Sequence, residues 1–347
     1  MRAGTGSPGG GVYRQGTSGV PPGRVRRPTL ACMDNRAEVR EFLMTRRAKV
    51  TPEQAGLPSI GARRVPGLRR SEVAVLAGLS VEYYAKLERG QIAGASASVL
   101  DALSRALQLD EVERRHLQDL ARAADGAATA TRRRRPRPAA LAGSRPALQW
   151  MLDGMTGSAV FVRDPYHRMI AANQLGRAFY LPVIGEAGLL ALPEGAQAPN
   201  LVRFQFLDPA SRDFYPDWEA FARMGVGALR VEAGKDPHDP VLQELIGELS
   251  TCSEDFRRLW GAHDVHAHSA GTKRFVHPVV GELTVRFEQM ELSADPGCML
   301  IAYTAEPATE AAERMSLLAS WAATRAEELR GHGSVPAPEG ADPTVPS

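Results

Sequence analysis

Arg70-Ser-Glu-Val-Ala-Val-Leu-Ala-Gly-Leu-Ser-Val-Glu-Tyr-Tyr-Ala-Lys-Leu-Glu-Arg89 decides how this chain is read. Two short helices that cross steeply need a small residue where they touch, a glycine in the turn and apolar side chains at fixed offsets. Ala74 supplies the first, Gly78 the second, and Val73, Ala77, Leu79, Tyr84 and Leu87 the third. Ser80 stands where its hydroxyl can N-cap the second helix. With Tyr84 and Leu87 inward, the 3.6-residue period turns Glu82, Tyr83, Lys86 and Arg89 outward. The pattern is that of a helix-turn-helix, whose second helix meets base edges with its N-terminal residues. Val81 suits a thymine methyl and Glu82 a cytosine amino group, with Tyr83 beside them. Arg69 and Arg70, next to the N-terminus of the first helix, suit phosphates. The expected DNA-facing set is therefore Arg69, Arg70, Ser80, Val81, Glu82, Tyr83, Lys86 and Arg89. Similar helix pairs also occur in bundles that bind no DNA, and Glu82 equally suits the helix dipole as a first-turn acid.

Outward from this motif, apolar periodicity predicts helices over 35–49, 70–77, 81–89, 98–107 and 110–121. A Gly/Pro-marked loop between the first two holds the basic pair Arg63 and Arg64. Five short helices in residues 34–125 predict a compact all-α domain. Residues 126–147, with the run Arg132-Arg-Arg-Arg-Pro-Arg-Pro138, can bury no core and predict a linker. This run suits DNA backbone or simply a solvated tether. Beyond it, apolar runs at 159–162 and 169–172 flank Asp164-Pro165-Tyr166 like a hairpin. A short helix is expected at 173–180, with further helices at 217–232, 240–249 and 253–260. Strand patterns follow at 273–276, 283–290 and 299–303, and a closing helix at 313–329. Residues 148–330 thus predict an α+β domain, with disordered segments at 1–33 and 331–347. Met33 stands directly before the first helical pattern, so a natural start there is expected.

Composition narrows the function classes. The net charge of +2 hides a front (residues 1–147) at +13 and a rear at −11. A basic front points to a polyanionic partner for that part alone. The first 32 residues contain no apolar core of a secretory signal. Cys32, Cys252 and Cys298 are odd in number and far apart, which fits a reducing cytoplasm and neither a disulfide framework nor a CxxC metal site. His263, His266 and His268, with His277 nearby, have short spacing but no acidic or cysteine partner at ligand distance in sequence, so pocket or core histidines are favoured over a metal site. No phosphate-cradling loop and no nucleophile elbow occurs, so neither an enzyme nor a cofactor is expected.

Leu68-Arg-Arg-Ser-Glu-Val-Ala-Val-Leu-Ala-Gly-Leu-Ser-Val-Glu-Tyr-Tyr-Ala-Lys-Leu-Glu-Arg-Gly90, preceded by Pro52-Glu-Gln-Ala-Gly-Leu57, resembles the Xre-type (lambda-repressor-like) regulators that carry an MmyB-like ligand-binding domain. The likeness continues through Ala171-Ala-Asn173, Asn200-Leu-Val-Arg-Phe204, Leu207-Asp-Pro209, Arg212-Asp-Phe-Tyr-Pro-Asp-Trp218, Trp260 with His263-Asp-Val265, and His277-Pro-Val-Val-Gly-Glu-Leu283. The resemblance implies a five-helix lambda-repressor-like domain followed by a PAS-like α+β domain with a pocket for a fatty acid or a similar apolar molecule. It also implies control of transcription. Ser71 stands where that family usually has an acid. Phe179, Phe204, Phe206, Trp218, Phe221 and Trp260, with His263, are the expected ligand contacts. A homodimer on double-stranded DNA, switched by such an effector, is the expected arrangement. The alternative gives the rear domain a protein partner and no small ligand.

Overall fold

The computed structural model describes residues 35–57, 67–128, 145–262 and 270–332. The Arg63–Arg64 pair, the arginine run at 132–138 and the histidines at 263, 266 and 268 lie outside the described residues.

The front domain is helical. It comprises α1 (Asn35–Lys49), α2 (Arg70–Ala77), α3 (Val81–Glu88), α4 (Ala97–Ala106) and α5 (Glu111–Ala128). Val39, Phe42 and Leu43 of α1 are buried at i, i+3 and i+4, and they share one core with Val73 and Ala74, Tyr84 and Leu87, Leu100 and Leu103, and Leu117 and Leu120. Helix α5 runs seven residues past the end that periodicity gave it, because its last turns hold alanines, which propagate a helix without adding to the apolar pattern.

The rear domain has an antiparallel sheet of β1 (Ala159–Arg163), β2 (Met169–Ala172), β3 (Ala270–His277), β4 (Gly281–Glu291) and β5 (Met299–Thr304), ordered β2-β1-β5-β4-β3. Strand β1 is buried on both faces, which is why it reads as an unbroken apolar run, whereas β4 alternates. Phe161 pairs with Ile301, Phe287 with Tyr303 and Phe275 with Leu283, so these side chains share the inner face. Val160, Val162 and Leu300 point the other way, onto Leu148 and Leu152 of α6 (Pro146–Asp153). That helix begins inside the expected linker; a proline at its first position starts it, and eight residues are too few to register as periodic.

Over the inner face lie α7 (Gln174–Phe179), α8 (Leu181–Ile184), α9 (Leu201–Leu207), α10 (Ala210–Phe214), α11 (Trp218–Lys235), α12 (Pro240–Cys252), α13 (Glu254–Gly261) and α14 (Glu310–His332). Sequence periodicity missed α8, α9 and α10, each seven residues or shorter. The fold is an all-α helix-turn-helix region followed by an α+β domain.

Several residues of the quoted signature prove to be joints. Asn173 Oδ1 accepts from the Gly176 amide at 2.7 Å and the Val160 amide at 3.0 Å, while its Nδ2 donates to the Met155 and Ser158 carbonyls. It caps α7 and ties that helix to β1. Asn200 caps α9 and donates to the Tyr166 carbonyl at 2.8 Å, holding the β1–β2 turn. The His277 ring accepts from the Val279 amide at Nδ1, so its Nε2 is the donor to the Ala178 carbonyl at 3.0 Å.

Candidate DNA-binding surface and ligand cavity

The turn between α2 and α3 is made as its sequence requires. Gly78 has φ of 64°, left-handed, and the Leu79 amide returns to the Ala74 carbonyl at 2.8 Å to close the end of α2. Ser80 Oγ accepts from the Tyr83 amide at 3.1 Å, capping α3. Val73, Ala74, Ala77, Tyr84 and Leu87 are buried, and Leu79 is half-buried.

Glu82, Lys86 and Arg89 are exposed, and Val81 is 41% exposed at the head of α3. Tyr83 departs from the expected outward set. It is half-buried and packs on the domain core, because i, i+4 spacing sets it beside Leu87 as well as at the helix surface.

Arg70, expected beside phosphates, is exposed but has an engagement that the motif did not foretell. Its Nε donates to Glu88 Oε2, and Glu88 is buried. Arg47 of α1 binds the other carboxylate oxygen at 2.5 Å and the Leu68 carbonyl at 2.8 Å. Burial alone would raise the Glu88 carboxyl, but the hydrogen bonds from Arg47 and Arg70 overcome it and hold the group below its ordinary range. Arg70 thus helps neutralise the end of α3, whereas the exposed Arg69 lends its backbone amide to Glu72 at 2.6 Å. Val75 on α2 is 74% exposed, a feature visible in the sequence only as an apolar residue out of phase with Val73 and Ala77.

In the rear domain a cavity of about 110 Å³ lies between the inner sheet face and helices α9 and α11. Of the aromatics expected there, Phe221 lines it and the other described ones do not. Phe179 stacks on Tyr303 at 5.1 Å and meets Phe275 edge-on, so it is core. Phe204 packs against Phe214 and Tyr215. The Trp218 indole N–H is spent on the Gln205 carbonyl and Ser211 Oγ, both at 3.1 Å. Phe206 sits edge-on to Trp218 and Phe256, and Trp260 stacks on Phe256 under the Arg230 guanidinium. The physical reason is common to all five: a large aromatic is as valuable in a helix–helix seam as at a void, and sequence does not separate the two. His263 lies outside the described residues.

The cavity is polar in ways the aromatic list did not foresee. Arg163 ends β1 and Lys273 lies on β3, and both side chains line it. Among the described residues neither forms an ion pair, and Lys273 Nζ instead lies over the Phe287 ring at 4.1 Å and near Phe221 at 5.2 Å. Burial, reinforced by the Arg163 charge, pushes the Lys273 ammonium down to about 7. His167 completes the basic set from the β1–β2 turn, where it adopts φ of 60°. Its pKa is driven well below the ordinary histidine value by burial and then by Arg163 and Lys273, so the ring is neutral. Tyr180 and Tyr303 also line the cavity and share a hydrogen bond of 2.9 Å, the Tyr303 ring lying 5.6 Å from Lys273 Nζ, and burial raises both hydroxyls. A signal for Lys273 existed, since period two sets it on the face of Phe275, two residues on. Arg163 likewise closes an apolar strand in phase with Phe161.

Among the described residues no helix is long and apolar enough to cross a membrane. A family model described as the MmyB-like transcription regulator ligand binding domain matches residues 144–318, and one described as a helix-turn-helix domain matches residues 38–117. No curated protein matches the chain. The all-α front with its capped, left-handed turn and the rear domain with its cavity are the two parts those matches describe, and the chain belongs to the MmyB-like transcription regulators, DNA-binding in front and ligand-binding behind.

Proposed function

We propose that this regulator senses a small molecule with an apolar body and one anionic head, fatty-acid-like in chemistry, and that as a homodimer it reads double-stranded DNA with α3. The observation that carries the ligand class is the pair of the buried Arg163 and the half-buried Lys273 at one cavity, neither with a carboxylate at ion-pair distance among the described residues, Arg163 feeling Glu232 and Asp164 only from further off. A buried charge is costly unless it is paired, and an entering anion supplies the pair. Phe161, Phe221 and Ile301 on the same cavity suit an apolar body. At about 110 Å³ the cavity suits a short chain rather than a long one.

On the DNA side the supporting features are the exposed Val81, Glu82, Lys86 and Arg89 on α3, with Ser80 as its cap and Arg69 beside it. Tyr83 contributes its outer edge, and Arg70 acts through Glu88 by orienting α3. Native mass spectrometry of the full chain, followed by titration with octanoate, tests the ligand class. A retained mass of a small acid, or saturable octanoate binding that Lys273→Met weakens, supports it. A chain without a retained small molecule that ignores octanoate contradicts it, and favours a protein partner for the rear domain.

A further inference from the structure

Helix α11 belongs to both halves of the molecule. One stripe of it, Phe221, Met224, Gly225 and Ala228, spaced i, i+3, i+4, i+7, walls the cavity. A second stripe, Arg230, Val231 and Gly234, is turned to the DNA-binding domain. Arg230 is fully buried. Its Nη1 donates to Glu38 Oε1 on α1, its Nη2 to the Trp260 carbonyl at the end of α13, and its guanidinium lies 4.3 Å from the centre of the Trp260 ring. Val231 packs on the core of the DNA-binding domain. Gly234 approaches α5 so closely that a Cβ there would stand 2.6 Å from the His116 ring, and His116 in turn meets Phe42 of α1 edge-on at 5.2 Å.

This seam has little slack. Arg230 and Glu38 are both buried, so their hydrogen bond is costly to break, and Gly234 has no room to advance on His116. The 18 residues of α11 are joined by their own hydrogen-bond ladder, so a shift at the cavity stripe is carried to the seam. From α1 the route continues, because Arg47 of that helix holds Glu88 at the end of the recognition helix.

We propose that α11 is the relay of this regulator: filling the cavity moves α11, and the Arg230–Glu38 and Gly234–His116 contacts pass the movement to α1 and α5, and so to α3. This inference rests on the cavity being the ligand site. A contact route alone is not coupling, and coupling is what has to be measured.

The test replaces the ligand by a side chain, so it does not depend on the ligand's identity. Ala228→Phe fills the cavity in the full chain, and Phe221→Ala, a milder change should the first not fold, enlarges it. Hydrogen exchange of the α1 and α5 amides is expected to change at least about fivefold in either variant, the low end of ordinary allosteric couplings. Most of that change is expected to vanish when the same substitution is made together with Glu38→Gln. Unchanged exchange in α1 and α5 overturns the relay, whether or not β1 and β5 around the cavity respond. A change that persists undiminished with Glu38→Gln overturns the assigned route. The ligand class fails separately: a chain that ignores octanoate yet transmits Ala228→Phe to α1 and α5 loses that reading and keeps the relay.

Discussion

At Lys273 a single side chain sets how the cavity responds to pH. Its ammonium is pushed down to about 7 by burial and by Arg163, against an ordinary lysine value of 10.5 when unfolded. Between those two values the unfolded chain binds the extra proton, so this residue makes stability rise with pH across that window. An anion entering the cavity reverses the preference, because it favours the charged ammonium. Octanoate affinity is therefore expected to fall as pH rises above about 7, by up to roughly tenfold per pH unit. Calorimetric titration between pH 6 and 9 checks this, and Lys273→Met is expected to bind at least about tenfold more weakly at pH 6 and to flatten the profile. A wild-type affinity that is flat or rises over that range contradicts a charged Lys273 at the ligand. At this scale the sequence was legible in part. Ser80, Gly78 and the buried apolar offsets depend on neighbours within four residues, and they stand as expected. The pairing of Arg70 with Glu88 was not legible, because Glu88 lies 18 residues away and only the crossing of α2 and α3 brings them together.

Single turns of chain show how much an element owes to its cap. Ser80 caps α3 at the surface with one hydrogen bond, whereas the buried Asn173 makes four, to α7, β1 and the loop before β1. Ser80→Ala is expected to cost about 1 kcal/mol, the usual worth of an N-cap. Asn173→Ala strands buried amides and carbonyls and is expected to cost about 3 kcal/mol. Urea denaturation of the two variants measures both, and equal losses would mean that Asn173 acts as no more than a cap. Elements whose apolar period spans three turns or more, such as α1, α11 and α12, were visible in the sequence within a few residues of their bounds. The short α8, α9 and α10 were not: four to seven residues complete too little of a helical period, and packing on Tyr215 and Phe214 stabilises what propensity alone does not.

Across the whole molecule the charge is divided, +13 before residue 148 and −11 after it, so the salt dependence of DNA binding should arise in the front half. Replacing Arg69, Lys86 and Arg89 together with Ala is expected to lower the slope of log affinity against log salt by about 2 to 3 on any duplex. Arg70→Ala, whose guanidinium is already engaged by Glu88, is expected to change that slope by less than about 1. Fluorescence anisotropy over a salt series distinguishes these outcomes, and a slope unmoved by the triple change would remove α3 from the phosphate surface. By itself the sequence determined the helix-turn-helix, its cap and turn, the α+β order behind it and the sign of the partner, because each is written in residues close along the chain or in summed charge. Only the tertiary structure decided which aromatics are core and which line the cavity, that Arg163 and Lys273 meet there, and that Arg230 crosses to Glu38, 192 residues away. Those facts depend on how sheet, helices and domains stack, and the burial that makes a charge or a ring functional is a property of that stacking rather than of any local stretch of chain.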